Sequence, residues 1–102
     1  MLNMVLKIYP LLRRIPEGKV TTYKELARFA GTHPRTIGML MRKNEDPVKI
    51  PCYKIVRSDG SIGGYSGKGG IRTKIRLLKR DGIEIIKGKV NLEKHLHRFS
   101  KP

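Results

Sequence analysis

The chain has one cysteine, and it stands in Ile50-Pro51-Cys52-Tyr53-Lys54-Ile55-Val56. A thiolate is an intrinsically strong nucleophile, so Cys52 is the first candidate for covalent chemistry. Taken by itself, a free cysteine is more often a small buried hydrophobe than a reactive group. Two neighbours loosen that reading. Pro51 keeps Ile50 extended and stiffens the chain ahead of the thiol, and the run from Tyr53 to Arg57 reads as a strand that fixes the chain behind it. A thiol held at such a bend can be aimed at a reacting atom. One cysteine excludes an internal disulfide. His33, His95 and His97 show no Cys/His zinc spacing, so no metal is expected, and these histidines read as surface or capping residues.

The glycine-rich stretch 60–70, GSIGGYSGKGG, is the second candidate. It lacks the GK[ST] ending of a phosphate loop and the strand-to-helix spacing of a dinucleotide site, so no nucleotide cofactor is expected. Its glycines allow backbone to approach a ligand closely, with the Tyr65 and Ser66 hydroxyls available to it. Standing alone, a flexible turn with a packed tyrosine explains it as well.

Charge narrows the partner. The 102 residues carry 23 Lys+Arg against 8 Asp+Glu, a formal +15 spread from Arg13 to Lys101. That balance points to a polyanion, and a nucleic-acid backbone is the commonest one. An anionic membrane surface or a solubilising coat fits less well. No stretch approaches the length of a membrane span, and MLNMVLKIYP lacks the features of a signal peptide, so a cytoplasmic location is expected.

The elements that must position these residues follow from periodicity. Val5, Leu6, Tyr9 and Leu12 predict an amphipathic helix over residues 2–15, with Pro10 as its start or kink. Thr22-x-x-Glu25 is a capping box for a short helix begun near Tyr23 and stopped by Gly31. A further helix has Thr32 as its cap, Pro34 in its first turn, Ile37, Leu40 and Met41 facing inward, and Arg35, Arg42 and Lys43 as its cations. Two short helices about a tight glycine turn make a helix-turn-helix candidate. A hairpin or wing is expected in YKIVRSDGSIGGY around Asp59-Gly60. After it come a helix through Ile71, Ile75 and Leu78 stopped at Gly82, a strand in GIEIIKGKV, and a short helix begun by Asn91. The fold class expected is mainly α with a small β hairpin, a winged helix-turn-helix-like single domain over residues 1–102.

Taken in order, IPEGKVTTYKELA, PRTIGMLMRKN, IPCYKIV, GSIGGYSG and IRLLKRDG resemble the C-terminal domain of the 6-O-alkylguanine-DNA alkyltransferases and the related alkyltransferase-like proteins. The resemblance runs from about Val5 to Gly82. It implies that Cys52 accepts an alkyl group from the 6-oxygen of guanine irreversibly, so that each molecule acts once. The histidine that follows the family's cysteine is Tyr53 here, and the acid linked to it is Asp81. A tyrosine with an ordinary pKa near 10 is a poor base at neutral pH. By the same resemblance Tyr23 helps rotate the nucleotide outward, Arg35 takes its place in the stack, and Asn44 hydrogen-bonds beside the cysteine. Lys54 replaces an arginine on the DNA side with Arg42 and Lys43, and Gly38 lets its helix approach the DNA backbone. Pro51, Tyr65 and Ser66 line the base pocket.

Extruding a base costs a few kcal/mol, less for a damaged and poorly paired one. The resemblance thus implies a monomeric DNA repair protein that binds double-stranded DNA, preferably alkylated at guanine, with no cofactor and no membrane. Repair members carry a domain ahead of the helices, which this chain is expected to lack. Alkyltransferase-like proteins share that short form but put another residue at the cysteine. Two alternatives follow: a non-catalytic lesion-binding module that flags the base for a repair-pathway protein, and a winged-helix regulator.

Overall fold

The computed structural model describes residues 2–100. Helix α1 (Leu2–Leu12) carries Ile8, Leu11 and Leu12 into the core and passes through Pro10, which is exposed. It stops short of the expected Ile15. The chain turns there through an Arg14 N–H bond to the Leu11 carbonyl.

Strand β1 (Thr21–Thr22) leads directly into α2 (Tyr23–Ala30). Thr22 caps this helix, its hydroxyl accepting from the Glu25 N–H at 3.0 Å. Only half of the capping box forms, because the Glu25 carboxylate accepts instead from Arg28 and from the Phe99 N–H. Gly31, left-handed at φ 75°, closes α2 as expected, and the Thr32 N–H reaches back to the Ala27 carbonyl. For α3 (Pro34–Arg42) the N-cap is His33 rather than Thr32, with no side-chain cap bond and Pro34 supplying the preset first turn.

A 3₁₀ turn (Cys52–Lys54) and strand β2 (Ile55–Val56) follow. Here the expected wing is corrected. β2 pairs in parallel with β1, Thr21 beside Ile55 and Thr22 beside Val56, the two short helices forming the crossover between them. Residues 57–61 make a tight turn, closed by Gly60 N–H to the Arg57 carbonyl and by Arg57 N–H to the Ser61 carbonyl, with no strand pair continuing from it among the described residues. Gly60 then packs on the backbone of Val90: a Cβ there would lie 2.6 Å from the Val90 oxygen, and its φ of +90° favours glycine as well. The second leg of the supposed hairpin is therefore taken by the true one, β3 (Ile85–Ile86) and β4 (Lys89–Val90), antiparallel about Lys87-Gly88. Both turn residues have positive φ, as tight two-residue hairpin loops require.

Helix α4 (Gly70–Arg80) buries Lys74 and Leu78, while Ile71 is half exposed. After the hairpin, α5 (Leu92–His95) is capped by Asn91, as its position predicts. The chain then pairs with Val20 and delivers Phe99 to the core beside Phe29 and His97. His95, expected at the surface, is buried. Its Nδ1 lies 2.9 Å from the Gly18 carbonyl and its Nε2 accepts from the Glu84 N–H, which requires a neutral ring protonated at Nδ1.

Two apolar clusters result. One joins α1, α2 and α3 with Cys52, Ile55 and Phe99; the other joins Val20, Val56, Ile62, Leu78, Ile83 and Val90. The strand pair β1–β2 runs between them. Among the described residues no helix is long and apolar enough to cross a membrane.

Candidate active site

Cys52 lies at a turn fixed from both sides. Pro51 has φ −75° and ψ 71°, the inverse γ-turn, and the Cys52 N–H closes it on the Ile50 carbonyl at 2.7 Å. On the far side the Ile55 N–H bonds to the Cys52 carbonyl. Asn44, itself buried, donates to the same Ile50 carbonyl at 2.9 Å and accepts from the Asp46 N–H at 3.0 Å. It holds the loop ahead of the cysteine, and so acts on the thiol only through Ile50.

The thiol is 5% exposed and borders a cavity of about 1110 Å³. The cavity lining includes Tyr23 and Lys24 of α2, Arg35, Gly38, Met41 and Arg42 of α3, and Arg57, Tyr65 and Ser66 of the loops, with Asp59 as its one acid among the described residues. The Ser66 hydroxyl donates to the Met41 carbonyl at 3.0 Å, pinning the glycine-rich loop to the last turn of α3. Gly67 is needed for that loop's close approach, since a Cβ there would overlap the Tyr65 ring. Gly38 leaves open space on the cavity side of α3, its missing Cβ coming no nearer than 3.8 Å to the Arg42 guanidinium. Burial raises the Tyr23 and Tyr65 phenols above their ordinary value, so both are hydrogen-bond donors at neutral pH.

The structure brings together Tyr23, Arg35, Gly38, Arg42, Cys52, Tyr65 and Ser66, but not the rest of the expected set. Lys43 caps the end of α3 and faces a separate groove with Tyr9 and Asn44. Lys54, expected on the DNA side, is buried. The 3₁₀ turn directs its ammonium inward, to Asp81 Oδ2 at 2.7 Å and the Pro16 carbonyl at 3.0 Å. That ion pair also corrects the expected link between Tyr53 and Asp81, because the carboxylate bonds to the Lys54 ammonium through Oδ2. The Tyr53 phenol is raised first by burial and then by the Asp81 charge, and it remains protonated at neutral pH. A protonated phenol cannot take the thiol proton.

Three residues join the site without having been marked by the sequence motifs. Lys24 and Arg57 add charge to the cavity rim. Lys74 is fully buried, its ammonium donating to the Ile55 carbonyl at 2.6 Å and the Gly64 carbonyl at 3.1 Å. Burial pushes its pKa down to about 8, and the neighbouring Cys52 opposes that shift. One sequence signal does point to it: Lys74 falls four residues before Leu78, on the inward face of α4, where an unpaired lysine is unusual. No group of His, Cys, Asp and Glu able to hold a metal occurs among the described residues.

A model of the 6-O-methylguanine DNA methyltransferase DNA-binding domain matches residues 3–83. The chain belongs to this family. It is 49% identical over 90 residues to a bifunctional methyltransferase/endonuclease of Picrophilus torridus, covering 86% of this chain and 30% of that protein. It is 50% identical over 68 residues to a methylated-DNA–protein-cysteine methyltransferase of Pyrobaculum aerophilum, covering 67% and 45%. The chain thus spans less than half the length of these two relatives. Among solved structures, S. pombe Atl1 in complex with DNA containing O6-carboxymethylguanine superposes with a TM-score of 0.85 at 28% identity, covering 96% of this chain and 97% of that one. The likeness to Atl1 thus extends beyond residue 83, where the family match ends.

Proposed function

We propose that the protein binds double-stranded DNA through α2 and α3, receives an extruded 6-O-alkylguanine in the cavity beneath them, and accepts its alkyl group on Cys52. The observation that carries this reading is a free cysteine at the wall of a cavity bordered by Lys24, Arg35, Arg42 and Arg57. In the transfer a Cys52 Sγ–carbon bond forms and the carbon–O6 bond of guanine breaks. The thiol proton ends on the restored guanine, which stays in the DNA, so the exchange balances without cofactor or oxidant. The proton passes from thiol to guanine with no net change of charge on the protein, so Tyr53 is not required as a permanent base. Tyr65 and Ser66 would border the base, and Arg35 would stand in the vacated stack.

Incubation with duplex carrying 6-O-methylguanine, followed by mass analysis of the Cys52 peptide, tests the proposal. One methyl group per chain, absent with plain duplex, is expected. An unmodified Cys52, under conditions in which a known methyltransferase reacts fully, overturns it.

One observation favours a second reading, lesion binding without transfer: the acid Asp81 serves Lys54 rather than the residue after the cysteine. The likeness to Atl1 bound to damaged DNA supports the same view. On this reading Cys52→Ala keeps its preference for alkylated over plain duplex, and a repair enzyme follows, in keeping with the methyltransferase/endonuclease name of the Picrophilus relative. Equal affinity of Cys52→Ala for the two duplexes removes it.

A further inference from the structure

A second concentration of charge lies outside the cavity, on α4. Of its eleven residues five are basic and none acidic. At 3.6 residues per turn, Arg72, Arg76 and Lys79 fall within about 60° of one another with Arg80 beside them, on the side opposite buried Lys74 and Leu78. All four are exposed, as is Lys68 just ahead of the helix. Among the described residues none of these five forms an ion pair.

The pattern works against the helix itself. Arg72–Arg76 and Arg76–Arg80 repel at i,i+4, and Arg72 lies near the positive end of the helix dipole. On α2, by contrast, Arg28 is paired with Glu25 one turn before it. An external anion relieves both strains.

We propose that the outer face of α4 is a second phosphate-binding surface that extends the grip on duplex DNA beyond α2 and α3. It rests on the DNA-binding reading above. The surface follows the cavity along the chain, since Ser66 lines the cavity and Lys68 and Arg72 come two and six residues after it. It is also distinct, because no residue of α4 lines the cavity. From Arg72 to Arg80 the stripe spans about 12 Å, the axial length of three to four base pairs. Exposed guanidinium groups suit phosphate oxygens, which they can meet with two parallel hydrogen bonds. The phosphates are those of the duplex that carries the lesion, and capture of a second duplex is the contrary outcome of the test.

The test is a full-chain variant, Arg72→Gln/Arg76→Gln/Lys79→Gln/Arg80→Gln, first shown to melt as the wild type does. Duplex affinity is measured between about 50 and 200 mM salt. The slope of log K against log salt should become less negative by roughly 2 to 4, about 0.9 for each phosphate no longer neutralised, with the ratio of alkylated to plain affinity unchanged. Replacing the two arginines of the first turns by lysine in place of glutamine should restore about half of the slope. A loss confined to long duplexes identifies the lesion-bearing duplex as the source; co-sedimentation of two differently labelled duplexes, abolished in the variant, identifies a second, contrary to the proposal. Wild-type slope and affinity in the glutamine variant overturn the proposal alone. Failure of the wild type to bind duplex at any salt overturns the DNA-binding reading with it.

Discussion

Lys74 is an ammonium with two carbonyl acceptors and no carboxylate, fully enclosed beneath the cavity. Burial disfavours its charged form, the Arg57 charge adds to that, and the Cys52 side opposes it. Its two acceptors tie the strand after the cysteine turn, through Ile55, to the glycine-rich loop, through Gly64, so the ammonium holds two walls of the site together. Its cost can be measured. The folded pKa of about 8 lies below the ordinary 10.5, so the folded state releases this proton first. Below pH 8 the lysine is charged in both states and the penalty is complete; it is relieved as pH rises from 8 towards 10.5. Wild-type stability relative to Lys74→Met should therefore improve by about 2 kcal/mol between pH 7 and pH 9.5. Urea unfolding of both proteins at the two pH values measures this, and a constant difference would show that the lysine is not strained.

At the scale of elements, the turn bearing Cys52 is bolted to the end of α4 by the Lys54–Asp81 pair, both side chains being about nine-tenths buried. Removing one member leaves a buried charge without its partner, whereas removing both leaves apolar volume. Asp81→Leu or Lys54→Met alone should cost roughly 3 to 5 kcal/mol, and Lys54→Met/Asp81→Leu should recover most of it. Chemical denaturation of the two single variants and the double variant gives the coupling, and additive losses would deny it.

This pair also marks the limit of what the sequence discloses. Residues that act through local rules are legible: the Thr22 cap, the Gly31 stop, Pro34 in the first turn of α3 and Asn91 before α5 all follow from short-range chemistry. The order of motifs places Cys52, Tyr65 and Ser66 near one another, and they do share one cavity. Long-range partners are not legible. Nothing in KIV distinguishes a strand that pairs with the next segment from one that pairs with Thr21–Thr22 across two helices, so the expected wing gives way to a parallel pair. Nothing in Lys54 indicates that it turns inward, because Asp81 is 27 residues away.

Over the whole molecule, the family match ends at residue 83, yet the chain beyond it closes the core. One link between it and α2 is Glu25, near the start of that helix, whose carboxylate accepts from the Phe99 N–H at 2.9 Å. The Arg28 hydrogen bond holds that carboxyl below its ordinary 4.5, with the Phe99 N–H adding to the effect against burial. A depressed acid stabilises the fold above its ordinary value and loses that contribution as pH falls through the lower, folded value. Acid should thus release the Leu96–Phe99 segment from α2, and Glu25→Ala should do so at neutral pH. The replacement leaves the Phe99 N–H unpaired in a buried site, at a cost of about 1 to 3 kcal/mol. Amide NMR shifts of Leu96, His97 and Phe99 give the readout: in the wild type they should move together with Glu25 protonation below pH 4.5, and in Glu25→Ala they should already be displaced at pH 7. If they stay fixed in the variant, Phe99 burial alone holds the segment and α2 is not coupled to the C-terminal chain.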